Sequence, residues 1–424
     1  MAAATRAPGF PLPLPSLAGA AFLRQPRLAA VVGALEKAGG RACVVGGSVR
    51  DALIGRPVRE VDIATTLTPH DASRACLQAG LKAVPTGIEH GTVTVICDGM
   101  PFEVTTLRRD VRTDGRRAVV AFTADWAEDA SRRDFTMNAL YAALDGTVFD
   151  PVGGYRDLAA RRVRFIGDAR ARIREDYLRI LRLFRFHAEF GRGDPDAAGL
   201  AAAAELASGL AGLSRERVRQ ELMRLLDAPG AAPAVAAMER SGIFAALGLA
   251  SPHVERFAAL KATGRMRAGE DAVLALAALL LAPRHGRDAE ALAARLRLAR
   301  DETRRLAALE GWEGVSPALG GKERAELCYR AGGGAARDRA LLAWAACGAP
   351  ADDAGWGALV DFTETWTSPE FPLKGRDLLR LGIARGPALG RALAALESHW
   401  IESGFAPDRQ ALLARARDMK GESG

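Results

Sequence analysis

A short stretch near the N-terminus places glycines and an arginine in an order that suits phosphate binding. The apolar run 43–45 ends in Gly46 and Gly47, which predicts a buried strand followed by a turn that a ligand can approach closely. Ser48 is predicted to cap a short helix, so that Arg50 falls in the first turn. The start of a helix attracts anions through its free N–H groups and its dipole. The stretch therefore predicts a phosphate cradle that includes Gly47 and Arg50.

Two carboxylates follow on a second predicted strand, residues 60–64. Glu60 and Asp62 are two residues apart, and side chains at this spacing face the same side of a strand. Two like charges on one face repel each other unless a cation lies between them, and Mg²⁺ binds carboxylate oxygens together with substrate phosphates. A triphosphate cradle beside a metal-binding pair is the outline of a nucleotidyl-transfer site. The alternative is a Gly-Gly turn next to a solvated, acidic strand end.

The same residues carry a resemblance to a known family. Residues 46–51, 55–56 and 60–65 resemble the class II tRNA nucleotidyltransferases, which include CCA-adding enzymes and the related bacterial poly(A) polymerases. The resemblance implies that Glu60 and Asp62 hold Mg²⁺ and that Gly47, Arg50 and Arg133 cradle the triphosphate. The family has Asp where this chain has Glu60, so the first metal ligand stands on a side chain that is longer by one methylene.

A third acid is expected beside this pair. The runs 92–96 and 102–105 alternate like strands, and residues 97–100 between them form a turn, which predicts a hairpin. Glu103 lies within the second, β-branched strand, where acids are depleted. The third acid of the family falls near such a Glu-Val-Thr-Thr run, which implies that Glu103 is a third carboxylate and the general base. The alternative is a strand glutamate that faces solvent.

Two further segments lie close to the predicted site. Residues 108–117 are basic, lack an apolar period and contain an Asp-Gly turn, which predicts a mobile loop; the resemblance implies that this loop helps to select the nucleotide. Residues 132–140 resemble the family at every position. Asp134 is predicted to fix Arg133 by a bidentate pair, so that Arg133 reaches the triphosphate. The alternative is a salt bridge at a helix start, where Asp134 favours the helix dipole.

The next helical pattern begins at residue 173 and brings an acid and three arginines into one series. Asp176, Arg179, Arg182 and Arg185 are spaced at i+3, so that neighbours in the series touch. The resemblance implies that Asp176 and Arg179 act as an amino-acid template that reads the base of CTP or ATP, with Arg182 and Arg185 assisting near the phosphates. The alternative is a set of plain i,i+3 salt bridges, each worth only a few tenths of a kcal/mol.

The charge of the chain indicates a polyanionic partner. Formal net charge is +7 over 424 residues, and residues 161–192 contain ten arginines against four acids, a local surplus of 10 − 4 = +6. Such a concentration of positive charge suggests nucleic acid, and the resemblance names it as tRNA. The alternative is a solvated, arginine-rich helix.

The cysteines and the apolar segments exclude several other classes of protein. Five cysteines show no CxxC spacing, which predicts reduced thiols, no zinc site and a cytoplasmic location. The Pro-rich segment 1–26 lacks the apolar core of a signal peptide, and no apolar run approaches the roughly 18–20 residues of a membrane span.

The expected architecture is α+β. A small α/β nucleotidyltransferase head with a mixed sheet (27–165) follows the segment 1–26 and precedes an all-helical neck that recognises the base (166–228). A helical, tRNA-binding body and tail (229–424) complete the chain, with helices expected at 272–281, 289–298 and 391–401.

The expected function is template-independent addition of CCA to the tRNA 3′ end from CTP and ATP, with release of pyrophosphate. Poly(A) polymerase, or an enzyme that adds only CC or only A, is the first alternative. An RNA-binding protein that has lost catalysis, as Glu60 suggests, is the second.

Overall fold

The computed structural model describes residues 14–114, 117–283 and 288–421. The chain divides into two compact units between Ser251 and Pro252. Within the described residues, the first unit contains a mixed sheet followed by helices, and the second contains helices and no strand. The predicted α+β fold class is confirmed.

Nine strands lie in the described part of the first unit. They are β1 (Ala42–Val45), β2 (Asp62–Thr65), β3 (Lys82–Gly87), β4 (Thr92–Cys97), β5 (Met100–Thr106), β6 (Arg108–Asp114), β7 (Arg117–Phe122), β8 (Tyr141–Ala142) and β9 (Val148–Phe149). Seven of them form one sheet in the order β3-β4-β5-β2-β1-β8-β9, and β6 pairs with β7 in a separate antiparallel ribbon. The pair β2–β5 is parallel and the other pairs are antiparallel, so the predicted mixed sheet is confirmed.

The helices of the first unit flank and follow this sheet. They are α1 (Pro26–Lys37), α2 (Gly47–Leu53), α3 (Pro69–Gln78), α4 (Trp126–Ser131), α5 (Gly154–Ala159), α6 (Ala169–Glu175), α7 (Leu178–Phe190), α8 (Ala197–Glu205), α9 (Arg215–Asp227), α10 (Ala231–Arg240) and α11 (Ile243–Ala246). Short 3-10 turns lie at Ala21–Arg24, Ile88–His90, Thr136–Asn138 and Ala207–Gly212.

Burial follows the periodicity expected from the sequence. Val93 and Val95 of β4 and Val104 of β5 are fully buried, while the residues between them are more accessible. Residues i and i+2 of a strand share a face, so this alternation puts one face of the sheet on the core. The predicted hairpin at 92–105 is thereby confirmed.

The start of α2 differs from the prediction. The helix begins at Gly47, and Gly46 takes the N-cap position with φ +76°, a backbone conformation that favours glycine. Ser48 is therefore inside the helix, and its hydroxyl donates to the Val45 carbonyl oxygen at 3.2 Å instead of capping. The prediction that Ser48 caps the helix was wrong. Gly46 is the N-cap residue, so the helix begins two residues earlier than predicted.

Three other boundaries also differ. The strand expected at 60–64 is Asp62–Thr65, so Glu60 lies in the preceding loop. The basic segment 108–117, expected as a loop, is strand β6 as far as Asp114, because it pairs with the β-branched run of β7. The single helix expected from residue 173 breaks at Asp176, which is extended with φ −156°.

The second unit is a helical array. Its helices are α12 (Val254–Ala262), α13 (Ala272–Leu280), α14 (Asp288–Leu296), α15 (Arg300–Ala308), α16 (Gly321–Ala331), α17 (Gly333–Cys347), α18 (Ala354–Thr365), α19 (Gly375–Arg380), α20 (Pro387–Glu402) and α21 (Arg409–Gly421). The helices expected at 272–281, 289–298 and 391–401 are confirmed as α13, α14 and part of α20. Among the described helices, none has the length and apolarity needed to cross a membrane.

Candidate active site

Two of the predicted acids stand side by side on the sheet. Strands β2 and β5 run parallel, and Asp62 is paired directly with Glu103 in their register. Residues paired across neighbouring strands project from the same face, so the two carboxylates share one surface of the sheet. Both side chains are exposed, and so is Glu60 in the loop before β2. Asp62 and Glu103 thus come from strands that are about 40 residues apart in the chain.

The electrostatics of Asp62 shows that the acids act on one another. Loss of water around its carboxylate, followed by the negative charge of Glu103, raises the pKa of Asp62 to about 6; Glu60 adds to the rise and Arg133 opposes it. The side chain remains exposed on one side even though protein atoms remove part of its hydration. The site therefore concentrates negative charge that a bound cation would stabilise.

The donors available here suit a hard divalent cation. Carboxylate oxygens are the protein ligands that Mg²⁺ accepts, usually one or two of them together with substrate phosphates. Within the described ranges, no group of three or more His, Cys, Asp or Glu side chains is already arranged around a common metal position. Asp62, with Glu60 or Glu103, could supply two such carboxylates to a divalent cation.

The raised pKa of Asp62 predicts a pH-dependent cost to folding. Because the pKa is higher in the fold than in the unfolded chain, ionised Asp62 destabilises the metal-free protein above pH 6, and this cost disappears as the pH falls below about 4. In EDTA at pH 7.5 we expect Asp62→Asn to raise Tm by about 2 °C, corresponding to roughly 1 kcal/mol after allowance for solvent screening. Below pH 4 the two proteins should have the same Tm. Asp98→Asn, in the exposed turn between β4 and β5, is the control, and an unchanged or lower Tm for Asp62→Asn at pH 7.5 would contradict the assignment.

Arg133 lies between the acids and the glycine turn. A Cβ built on Gly46 would lie 3.7 Å from Arg133 Nη1, and the charge of Arg133 lowers the pKa of Asp62. Gly47, the first residue of α2, is next to this contact, and a Cβ there would meet Arg50 Nη2 at 3.5 Å. The predicted Gly-Gly turn, Arg133 and Asp62 are therefore brought to one place by the fold.

Asp129, which the sequence analysis did not single out, holds Arg133 in position. Arg133 donates from Nε and Nη2 to Asp129 Oδ2 at 3.2 and 2.9 Å, and the Tyr141 hydroxyl donates to the same oxygen at 2.8 Å. Asp129 is 1% exposed. Burial alone would raise its pKa, but Arg133, Arg132 and the Tyr141 hydroxyl outweigh burial and hold the pKa below its usual value.

The prediction that Asp134 fixes Arg133 was wrong. Asp134 Oδ2 instead accepts from Arg182 Nε at 2.8 Å, and its Oδ1 accepts from the Phe135 N–H and the Asn138 amide. The i,i+4 spacing of Asp129 and Arg133 was the sequence signal for the actual pair.

Loss of the Asp129 charge is expected to impair catalysis through Arg133. In Asp129→Asn the neutral amide can no longer hold the half-buried Arg132 and Arg133 by charge, so we expect kcat/KM to fall by about 10–100-fold, as for other residues that orient a ligand-binding side chain. Steady-state kinetics well below Tm measures this. Asp125→Asn, the N-cap of the same helix, is the matched control and should stay near wild type. An Asp129→Asn protein with normal kinetics would remove Asp129 from this role.

Arg50 is directed into the protein. It is 8% exposed, donates to Asp51 Oδ1 at 2.9 Å and to Asn138 Oδ1 at 2.7 Å, and its guanidinium lies 4.1 Å from the ring centroid of Phe190. Burial lowers the pKa of Arg50. In the described structure the guanidinium therefore packs helix α2 against α7.

A continuous hydrogen-bonded chain links these two helices. Arg182 of α7 donates to Asp134, the Asn138 amide donates to the same carboxylate at 3.0 Å, and Arg50 donates to Asn138. Asp134 accepts through both of its carboxylate oxygens, and Asn138 donates from its NH2 group and accepts through its amide oxygen. The chain couples the helix that carries the predicted base-reading series to the helix at the Gly-Gly turn.

The predicted template pair, Asp176 and Arg179, is held by other residues. Asp176 lies between α6 and α7, where its Oδ2 accepts from Arg217 Nη2 at 2.6 Å. Arg179 donates to Glu175 Oε2 and to the Arg172 carbonyl oxygen. No salt bridge joins Asp176 to Arg179 in the part of the chain that the structure describes, so the plain i,i+3 alternative was wrong for this pair.

Arg182 and Arg185 differ in exposure. The Arg182 side chain is 30% exposed, whereas that of Arg185 is 7% exposed and is bound by Glu221 at 2.5 Å and Glu189 at 3.0 Å. Arg185 therefore lies inside the contact of α7 with α9, although the sequence analysis expected it near the phosphates. Glu221, a second residue that was missed, compensates this buried charge.

The chain is similar to known proteins along most of its length. A family model described as "Poly A polymerase head domain" matches residues 42–164, and one described as "Probable RNA and SrmB- binding site of polymerase A" matches residues 196–255. The CCA tRNA nucleotidyltransferase 1, mitochondrial, of Mus musculus is 35% identical over 385 residues, which is 88% of this chain and 85% of the mouse protein.

Two other relatives extend the similarity. The CCA-adding enzyme of Limosilactobacillus fermentum is 32% identical over 92% of this chain and 96% of its own length. The crystal structure of the Bacillus stearothermophilus CCA-adding enzyme in complex with CTP superposes with a TM-score of 0.74 at 27% identity, covering 94% of this chain and 99% of the other. The similarity thus extends through both compact units.

Proposed function

Because this chain belongs to the family of CCA tRNA nucleotidyltransferases, we propose that it adds CCA to the 3′ end of tRNA, taking nucleotides from CTP and ATP without a nucleic-acid template. The observation that carries the proposal is the paired placement of Asp62 and Glu103 beside the Gly-Gly turn and Arg133. A nucleotidyl-transfer site requires such acids next to a group that holds the triphosphate.

The reaction joins the terminal 3′-oxygen of the RNA to the α-phosphate of the incoming nucleotide and releases pyrophosphate. Glu60 and Asp62 would hold Mg²⁺, which when bound supplies positive charge at the reacting phosphate. Glu103, exposed beside Asp62, would accept the proton of the 3′-hydroxyl. Arg133, fixed by Asp129, would bind the triphosphate at the Gly-Gly turn.

Base selection is assigned to Asp176 and Arg179. Together they offer acceptor oxygens and N–H donors, the groups needed to match the pairing edge of a base. Arg217 and Glu175 fix their positions, and fixed donors select better than mobile ones because less conformational entropy is lost on binding. Arg182 is partly exposed and can assist, whereas Gly47 supplies backbone at the turn. Arg50 and Arg185 support the site from within the protein.

The direct test is a gel assay on a tRNA transcript that lacks its 3′ CCA. With Mg²⁺ present, we expect two additions with CTP alone and a third only when ATP is also supplied. Extension by only CC, or by only A on a transcript that already ends in CC, would identify a partial activity. Bound tRNA with no extension under any condition would favour the RNA-binding alternative.

Poly(A) polymerase is the second candidate because the matched head model bears that description. The same assay separates the two, since a poly(A) polymerase would add a long run of A with ATP alone. The full-length curated relatives carry CCA names, which favours the three-nucleotide product.

We also propose a cytoplasmic location for this chain, whereas the mouse relative is named as mitochondrial. Burial raises the pKa of Cys43 to about 12 and that of Cys76 and Cys328 to about 11, which keeps these thiols protonated. All five cysteines are free, and free cysteines without disulfides are typical of a protein in a reducing compartment.

A further inference from the structure

The ten arginines of residues 161–192 differ in how acidic side chains compensate their positive charge. Eight of the ten arginines are bound to acids within the same unit, two of them to Asp157 and six to other acids. Those six pairs are Arg170 and Arg174 with Glu205, Arg172 and Arg179 with Glu175, Arg182 with Asp134, and Arg185 with Glu221. The other four are Arg161, Arg162, Arg164 and Arg192. Three of these four lie at the start of the segment, and Arg192 is its last residue.

Asp157 fixes two of these four. It is fully buried, its Oδ1 accepts from Arg162 Nε and Nη2 at 2.8 and 2.5 Å, and its Oδ2 accepts from Arg164 Nε at 2.9 Å and from the Thr136 hydroxyl at 2.7 Å. The two arginine side chains are nonetheless 46% and 45% exposed. One carboxylate thus holds two guanidinium groups whose remaining N–H groups face solvent.

Two more arginines, Arg156 and Arg192, line a surface cavity together with Arg162. This cavity of about 350 Å³ is lined by Arg156, Ala160, Arg162, Arg192, Asp194 and Asp196. Arg156 and Arg192 are exposed, and among the described residues neither side chain has an acceptor. Asp196 is already used as the cap of α8, where it accepts from the Gly199 N–H at 3.0 Å. The Arg192 N–H donates to the Arg161 carbonyl oxygen at 3.0 Å, which joins the two chain segments.

We propose that this arginine patch (Arg156, Arg161, Arg162, Arg164 and Arg192) binds phosphodiester groups of the tRNA backbone, an inference that rests on the proposed function. Five arginines against Asp157, Asp194 and Asp196 leave a charge of 5 − 3 = +2. Planar guanidinium groups match phosphate oxygens with two parallel hydrogen bonds, and holding them in advance lowers the entropy lost on binding.

The chemistry of the cavity favours RNA backbone over a free nucleotide. The six residues that line it include no aromatic ring on which a base could stack. Contacts to phosphate position an RNA without reading its sequence. None of the five arginines belongs to the candidate active site, so the patch would orient the tRNA and leave the chemistry unchanged.

The test is Arg156→Ala/Arg192→Ala in the full-length protein, with tRNA lacking CCA as ligand and substrate. Neither side chain has a protein acceptor among the described residues, so folding should be retained. Each lost phosphate contact reduces the slope of log K against log salt by about 0.7–1. We expect the slope to fall by roughly 1–2, and the Kd for tRNA to rise by about tenfold near physiological salt. The KM for CTP and kcat at saturating tRNA should not change.

Arg74→Ala/Arg304→Ala is the control, because it removes two exposed arginines that are paired with Asp71 and Asp301 and changes the net charge equally. A tRNA Kd and salt slope equal to those of this control would overturn the inference. So would a raised KM for CTP with an unchanged tRNA Kd, which would indicate a nucleotide site. Failure of the proposed function has a different signature: the wild-type protein itself would not extend tRNA.

Discussion

Asp62→Asn is expected to abolish nucleotide addition, with a loss of about 10³-fold or more in kcat. The neutral amide keeps the size of the side chain but removes the charge that would hold Mg²⁺ at the reacting phosphate, a contribution of several kcal/mol at roughly 1.4 kcal/mol per tenfold. Single-turnover extension of tRNA with CTP measures the rate of the chemical step. Binding of tRNA, measured separately, should remain close to wild type because Asp62 makes no contact with the arginine patch.

The matched control for this prediction is Glu60→Asp. This change introduces aspartate, the residue that the family has at this position, so we expect the variant to remain active. Turnover retained in Asp62→Asn would exclude Asp62 as a metal ligand. An inactive Asp62→Asn together with an inactive Glu60→Asp would mean that the longer Glu60 side chain is required by the geometry of this particular site.

Glu221→Leu is expected to be the most destabilising single change near the site. Glu221 and Arg185 are both buried, and removing the acid leaves Arg185 with Glu189 alone. Leaving a buried charge without its partner costs about 3–5 kcal/mol. For a unit of this size, that corresponds to a fall in Tm of about 10 °C. Calorimetry of the first unit's transition provides the measurement.

The double variant Arg185→Met/Glu221→Leu separates structure from binding. Because both charges are gone and apolar side chains fill similar volumes, it should recover more than half of the stability lost in Glu221→Leu. Its KM for CTP, measured below Tm, should equal that of wild type if Arg185 only packs α7 on α9. A stable double variant with a KM raised tenfold would restore Arg185 to the phosphate site, as the sequence analysis expected.

Local patterns were sufficient for most of the elements. The alternation of β4 and β5 and the helical period beyond residue 166 each arise from burial of one face, which neighbours in sequence already specify. The starts of helices and strands differ from the prediction. Gly46, and not Ser48, is the N-cap of α2, and Glu60 lies before the first residue of β2. A boundary depends on a few backbone torsions and on pairing partners, and these are weakly encoded by residue type.

The sequence does not specify which partner each charged side chain binds, and the structure does. The sequence by itself determined the α+β class, the close spacing of Glu60 and Asp62, and the arginine surplus, because residue type and spacing carry that information. Only the tertiary structure decided that Asp129 binds Arg133 and that Asp134 binds Arg182. It also decided that Asp157 binds two arginines. An arginine has several acids within reach along the chain. Which of them it binds depends on which pair the fold removes from water, since a buried charge must be paired whereas an exposed one gains little.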